Sequence, residues 1–280
     1  MALTVRTNLS AMSAYNSLDS TSSRLTGGLD RISSGLRVTQ GADDAAGLGA
    51  TTKLNARSSS LEQAMRDAND GISMIQTAEG ATHEVQNILV RMRELAVQAS
   101  SETVSEAERA YLHDEFSQLR GEIGRIASVT EFGGTPLTDG SNPGGGDTAQ
   151  VGIDGASTSR LDLSFGDLRP AGLGVDTLSL ETSGGVEAAI TALDGAIDQV
   201  DGYRSSYGSV QSRLESSLAN SATYLESLRR GESRIMDADF ARSSAEMTKH
   251  QIMQQAGVAA LAQAKNVNQA ALSLLQARRP

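Results

Sequence analysis

Apolar residues recur at alternating four- and three-residue steps at both ends of this chain, the spacing that lines one face of a helix. Near the start the row runs Ala11, Tyr15, Leu18, Ser22, Leu25, Leu29, Ile32 and Leu36, with Ser22 its polar break. It predicts one amphipathic helix, which Gly27 and Gly28 weaken by roughly 1 kcal/mol each relative to Ala. Gly35 and the polar stretch TQGADD end it. A second row starts at Leu54, continues through Leu61, Met65, Ala68, Ile72 and Ile75, and drifts to Val85, Leu89, Met92 and Ala96, predicting a longer helix. A third helix carries Leu112, Phe116, Leu119, Ile123 and Ile126 and opens on Ser105 and Glu108, an S-x-x-E capping box. It stops near TEFGG.

Residues 133–185 change character. PLTDGSNPGGGD reads as a turn region, and the short alternating segments AQVGI, RLDLSF and TLSLE read as small β-hairpins. A strict row then runs Val186, Ile190, Leu193, Ile197, Val200, Arg204, Tyr207, Gln211, Leu214, Leu218, Ser221, Leu225 and Leu228. Continuous from 186 to 230, such a helix is roughly 65 Å long at about 1.5 Å per residue. Arg204, Gln211 and Ser221 interrupt the seam. Polar residues there either set register and partner number or sit at a solvent edge. The last row, Met253, Gly257, Ala260, Ala264, Val267, Ala271 and Leu274, is built of small residues that admit a close neighbour. Pairing the first and last helices covers one face of each, while Leu3, Val5, Leu9, Val258, Leu261 and Leu275 still need cover, most simply from other copies. The fold class is therefore mainly α: a long coiled-coil-like helical rod built from both chain halves, with a small β-hairpin region.

Composition supports helix seams over one globular core: aromatic residues are 3% of the 280, and Trp is absent. The net charge of -10 argues against a nucleic-acid partner. Residues 1–40 carry +2 and residues 241–280 carry +4, leaving -16 on 41–240, so two mildly basic ends flank an acidic middle. Without Cys there is neither a disulfide nor a thiolate metal site. No apolar run reaches membrane-spanning length, and the start lacks the apolar segment of a cleavable secretory signal.

Candidates for chemistry are weak. His83-Glu84 and His113-Asp114-Glu115 lack the second His at i+4 that a zinc helix needs, because Asn87 and Ser117 stand there, and both read as solvated faces. Asp43-Asp44 reads as a turn or helix start rather than a cation pair. Gly144 to Gly146 lack the P-loop pattern and read as a loop. Met65, Met74, Met92, Met247 and Met253 read as adaptable packing. No catalytic residue, metal or cofactor is expected, and the chain reads as a non-enzyme.

NLSAMSAYNSL, LDRISSGLRV, ADDAAGLGA, RDANDGISMIQTAEGATHEVQNILVRMRELAVQAS and EFSQLRGEIGRIASVTEFGGTPL, followed later by SSYGSVQSRLE, ESRIMDADFARSSAEMT, QIMQQAGVAALAQA and LSLLQ, resemble bacterial flagellin over roughly 1–140 and 186–276. With only about 50 residues between the halves, the chain resembles a minimal form without large outer domains. The resemblance implies a structural subunit of the extracellular flagellar filament that transmits motor torque for swimming. It implies a terminal coiled-coil inner-tube domain at 1–42 plus 238–280, and a rod domain at 43–237 with hairpins at about 133–185. Polymer packing is expected from Leu18, Leu25, Leu29, Ile32, Leu36, Met253, Ala260, Ala264, Val267, Ala271 and Leu274. Implied partners are many copies of the chain, the flagellar type III export machinery, an export chaperone, the filament cap and hook-filament junction proteins. Export without a cleavable signal peptide and no membrane insertion are expected. At the positions where some flagellins meet Toll-like receptor five, an innate immune receptor, stand Arg91, Leu95 and Glu115; receptor contact and protofilament packing are both open for them. The alternatives are a hook-filament junction protein, an exported metalloprotease on a flagellin frame, for which no metal motif is present, and an intracellular coiled-coil scaffold.

Overall fold

The computed structural model describes residues 8–141 and 147–276, the side chains of 147 and 267–276 excepted. Asn8 starts the first helix: its Oδ1 accepts from the Ala11 N–H at 2.9 Å, satisfying a first-turn donor that has no partner within the helix. α1 (Leu9–Ser34) ends at Gly35, whose φ of +71° suits the left-handed cap that only Gly adopts cheaply. Asp43 folds the following turn by accepting from the Thr39 N–H and hydroxyl, both at 3.1 Å. Asp44 Oδ1 accepts from Gly47 N at 2.8 Å as α2 (Ala45–Ala99) begins. The two carboxylates thus have the turn and helix-start roles their spacing predicts. α3 (Glu106–Val129) opens on the expected capping box, with Glu108 N donating to Ser105 Oγ and Ser105 N to Glu108 Oε2. Four short strands follow, β1 (Glu131–Phe132), β2 (Thr135–Pro136), β3 (Asp147–Gln150) and β4 (Arg160–Leu163), then α4 (Ser183–Met236) and α5 (Phe240–Gln276).

The chain divides into two compact units, Met1–Ala56 with Leu228–Pro280, and Arg57–Ser227. In the second, α2 and α4 pack side by side through long apolar rows. Along α4 the predicted row alternates without exception between buried and half-buried: Val186, Leu193, Val200, Tyr207, Leu214 and Ser221 are buried, and Ile190, Ile197, Arg204, Gln211, Leu218 and Leu225 are half-buried. The helix is continuous, as its spacing predicts. On α2 the buried residues from Leu61 through Ala64, Ala68, Gly71, Ile75, Ala78, Thr82, Val85, Leu89, Met92, Ala96 and Ala99 keep strict three-four steps. Two of the three polar interruptions are paired: Arg204 donates to Gln86 Oε1 at 2.7 Å, and Gln211 donates to Glu215 at 2.9 Å, while Ser221 is buried. Phe116, Ile123 and Ala127 of α3 complete one end of this core.

β3 and β4 form the predicted antiparallel hairpin, with Ala149 opposite Leu161. Ala149, Leu161 and Leu163 turn inward over α2 and α4. The fit depends on Gly71, where an added Cβ lies 3.2 Å from Ala149 Cβ and 3.6 Å from both Leu163 and Leu214. Two features differ from the pattern reading. Beyond the predicted end of α3, β1 and β2 pair around Gly133 and Gly134, whose φ values of +58° and +84° are the signs a tight two-residue turn requires. In contrast, TLSLE forms no strand. Leu173, Val175 and Leu180 enter the core directly, and α3 holds the intervening backbone. Arg120 Nη1 donates to the carbonyls of Asp176 and Leu178 at 2.6 and 3.3 Å, and Leu180 N donates to His113 Nδ1 at 3.3 Å. His113 is therefore half-buried and structural, not on a solvated face.

Candidate assembly surface

In the unit formed from the two ends, α1 runs antiparallel along α5. Asn8 Nδ2 donates to the Ala264 carbonyl at 3.0 Å, and an added Cβ on Gly257 lies 3.2 Å from Leu18 Cδ1. The covered positions of α1 include a row at Ala11, Ala14, Leu18, Thr21, Leu25, Gly28 and Ile32, with Ser22, Gly27 and Arg31 half-buried beside it. Those of α5 include a row at Met247, His250, Gln254, Gly257, Leu261 and Ala264, with Ser243 and Ser244 half-buried near its start. Both follow three-four steps, but the seam is turned by one residue at alternate positions from the row of largest side chains. Ala14 and Gly28 are covered where the apolar row has the exposed Tyr15 and Leu29, and Thr21 is buried beside the half-buried Ser22. Gly257 makes room for the Leu18 side chain, whereas an added Cβ on Gly28 meets nothing within 4 Å.

Several bulky residues point outward. Leu9, Met12, Tyr15 and Leu29 of α1 and Phe240, Ile252, Met253 and Val258 of α5 are all exposed, with Leu9 and Phe240 at 66%. Leu9, Met12 and Met253 line a groove of about 630 Å³ on this face, floored by Ser17 and Thr21. Of the predicted packing positions, Leu18, Leu25, Ile32 and Ala264 lie in the α1/α5 seam, and Leu29, Met253 and Ala260 lie outside it. Leu36 is half-buried and pairs with Asp237 in an isolated antiparallel bridge. The side chains of Val267, Ala271 and Leu274 fall outside the described residues. That bridge joins the two connectors: Ala238 N donates to Gly35 O at 2.9 Å, Arg37 N donates to Met236 O at 2.6 Å, and the Arg37 guanidinium donates to the Ile235 carbonyl. Val38 is 1% exposed beside it.

In the other unit, Arg91 bridges α2 and α3 by donating to Glu115 Oε1 through Nη2 at 2.8 Å and Nε at 3.2 Å, and it also reaches Glu94 at 3.0 Å. Hydrogen bonds to Glu115 and then Glu94 hold its guanidinium above the ordinary arginine value. Leu95 is 1% exposed and belongs to the core beneath, so Arg91 and Glu115 form the accessible part of this predicted trio. His83 stays exposed, with Glu84 at 3.8 Å and Asn87 at 3.4 Å. Pattern reading missed the Arg120 and His113 clamps on residues 176–180. Their signal is a polar residue on the core-facing flank of α3 opposite a segment that forms no ladder. Among the described residues no group of three His, Asp or Glu converges, and no helix is long and apolar enough to cross a membrane.

Residues 5–143 match the bacterial flagellin N-terminal helical region, and residues 190–275 match the bacterial flagellin C-terminal helical region. The chain is 41% identical to flagellin of Halalkalibacterium halodurans over 271 residues, 96% of this chain and 98% of that protein. It is 32% identical to flagellin A of Vibrio anguillarum, covering 99% of this chain and 100% of the relative. Among solved structures, flagellin of Bacillus cereus superposes with a TM-score of 0.50 at 33% identity, over 56% of this chain and 88% of that one. A putative flagellar hook-associated protein from Vibrio parahaemolyticus shares the fold with a TM-score of 0.59 at 13% identity, over 70% of this chain and all of that one.

Proposed function

The chain belongs to the bacterial flagellin family and acts as a filament-forming structural subunit in bacterial motility, and from that premise we propose how its residues divide the work of assembly. The role is structural and not catalytic, it is exercised in the extracellular flagellar filament, and it entails polymerisation and interaction with flagellar export and assembly proteins. In our reading, residues 1–42 and 238–280 form the inner tube of the filament and 43–237 its surrounding shell. The observation that carries this reading is the outward row of large apolar side chains on α1 and α5, left uncovered on the faces turned away from the seam between those helices. Leu29, Met253 and Ala260 then pack against other copies, with Val267, Ala271 and Leu274 extending the row. Leu18, Leu25, Ile32, Leu36 and Ala264 hold the two ends of one subunit together.

Seeded polymerisation of purified chain, followed by light scattering and electron microscopy, tests the division. Leu29→Asp and Met253→Asp are expected to abolish growth while leaving the thermal unfolding of residues 57–227 unchanged, and deletion of 271–280 is expected to do the same. Normal filaments from both point variants would overturn it. The finer partners are an export chaperone holding the uncovered terminal helices, the filament cap and the hook-filament junction proteins. Export proceeds through the flagellar channel. For innate recognition the exposed Arg91–Glu115 pair is the contact. A Toll-like receptor five reporter assay is expected to lose response with Arg91→Ala, and an undiminished response would sink that reading.

A further inference from the structure

Where the β3/β4 hairpin meets α4, a groove of about 340 Å³ is lined by two arginines and several hydroxyl side chains, with no carboxylate. Two guanidiniums, Arg160 from β4 and Arg213 from α4, converge on it with the hydroxyls of Thr158, Ser212 and Ser217, and Leu161 supplies an apolar wall. Arg91, Arg93, Arg125 and Arg169 of the same unit are each paired with a carboxylate. Among the described residues no carboxylate pairs with Arg160 or Arg213, and the single partner of Arg160 is Gln150 Oε1 at 3.4 Å. Asp162, two residues along β4 on its outward face, is not part of the lining. In a chain of net charge -10, a shared recess with two unneutralised cations is a place where an anion is favoured over water and salt.

The lining also indicates what the anion is attached to. A bare oxyanion accepts from guanidiniums and hydroxyls alike but leaves the aliphatic wall of Leu161 unused, whereas a ring carrying an anion and alcohols on its edge and C–H bonds on its face complements all three. The volume sits at the small end of the roughly 300–1,000 Å³ range of ligand pockets, which suits one or two rings. We propose that this groove binds an acidic sugar of hexuronate size, with its carboxylate on Arg160 and Arg213 and its hydroxyls on Thr158, Ser212 and Ser217. The site is independent of the assembly reading, since none of its residues belongs to the terminal helices.

The test is saturation-transfer NMR on the full-length monomeric chain with glucuronate as probe, glucose as the neutral control and sulfate as the bare-anion competitor. Ring protons of glucuronate are expected to receive saturation, glucose much less, and Arg160→Gln or Arg213→Gln is expected to weaken binding by about tenfold. Arg125→Gln, outside the groove, is expected to leave it unchanged, and Ser217→Phe, which fills the groove without removing charge, is expected to abolish it. Unaltered thermal melts identify variants that have kept their fold. Equal transfer to glucose, retention in both Arg variants, or no transfer at all would overturn the proposal. So would sulfate competing as strongly as glucuronate itself, which reduces the groove to a bare-anion contact. An oligomer at the NMR concentration that Arg213→Gln dissolves would assign the groove to acidic side chains of a second copy instead.

Discussion

Replacing Tyr207 by Phe removes one oxygen from the middle of the α2/α4 seam and almost nothing else. The ring is 1% exposed and keeps its tilted contact with Phe165, whose centroid is 6.1 Å away. The hydroxyl accepts from Gly166 N at 3.0 Å in a fully buried setting. Gly166 is itself closed in, because an added Cβ there would lie 2.3 Å from the Tyr203 ring, so no water replaces the lost acceptor cheaply. An orphaned buried N–H costs about 1–3 kcal/mol. With a urea m-value of about 1–3 kcal/mol/M, the unfolding midpoint is expected to fall by on the order of 0.5–1 M at unchanged m. Urea titration of the monomer by far-UV circular dichroism measures it. A second readout separates the hydroxyl from general loosening. Burial pushes the Tyr207 hydroxyl above its ordinary value of 10.0, against hydrogen bonds with Gly166 and Thr82. With the folded value raised, its contribution is complete below the unfolded value and is lost as pH rises through the folded one, because above about pH 10 the unfolded chain releases a proton that the folded chain still holds. The stability of the parent therefore declines more steeply above that pH than that of the Phe variant. An unmoved midpoint at neutral pH together with parallel alkaline slopes would refute the reasoning.

Gly28→Ala meets nothing within 4 Å and removes backbone freedom from the unfolded chain, so α1 is expected to gain about 1 kcal/mol, seen as a higher melting temperature of the terminal helices. Gly71→Leu must displace Ala149, Leu163 or Leu214; a loss of at least about 1–3 kcal/mol is expected, with faster amide exchange in β3 and β4 than in α2. On the acid side, hydrogen bonds from Ser105 hold the Glu108 carboxyl below 4.5, and Arg169 holds the Asp167 carboxyl below its ordinary value. Lowered folded values mean stability that is present above the unfolded values and is lost as pH falls through the folded ones. Glu108→Gln is expected to flatten that acid decline in circular dichroism melts, and an unchanged slope would count against the capping box as its source.

The α4 row was legible because its period is unbroken from Val186 to Leu225 and both of its neighbours are apolar, so periodicity alone fixes which side chains turn inward. The capping box, the Gly35 cap and the Asp43 and Asp44 turns were legible for a local reason: the cap is one residue's left-handed backbone, and each of the others is a hydrogen bond within three or four residues of its origin. The terminal seam was only half legible. Ala11, Leu18, Leu25 and Ile32 hold on either reading, but a rule that seeks the largest apolar residue chooses Tyr15 and Leu29 over Ala14 and Gly28. Cover there follows a residue's place around the helix, not the size of its side chain. The segment 177–181 reads as a strand on alternation alone, which leaves open what satisfies its backbone. Arg120 and His113, more than 50 residues away in sequence, supply the answer.

The modest seam between the two ends has a further consequence, in concentration. Ala11, Ala14, Gly28, Gly257 and Ala264 add little buried apolar surface to that of Leu18, Leu25, Ile32 and Leu261, and ordering two long helices costs entropy that so limited a burial offsets weakly. Ordering of the ends and attachment to a growing tip then become one equilibrium, with the neighbouring copy acting as the ligand that selects the ordered ends. Substitutions in the seam should therefore appear first in the free-subunit concentration at which growth stops, before any change in filament structure. By that measure a gain of about 1.4 kcal/mol in the ordered ends lowers the threshold roughly tenfold.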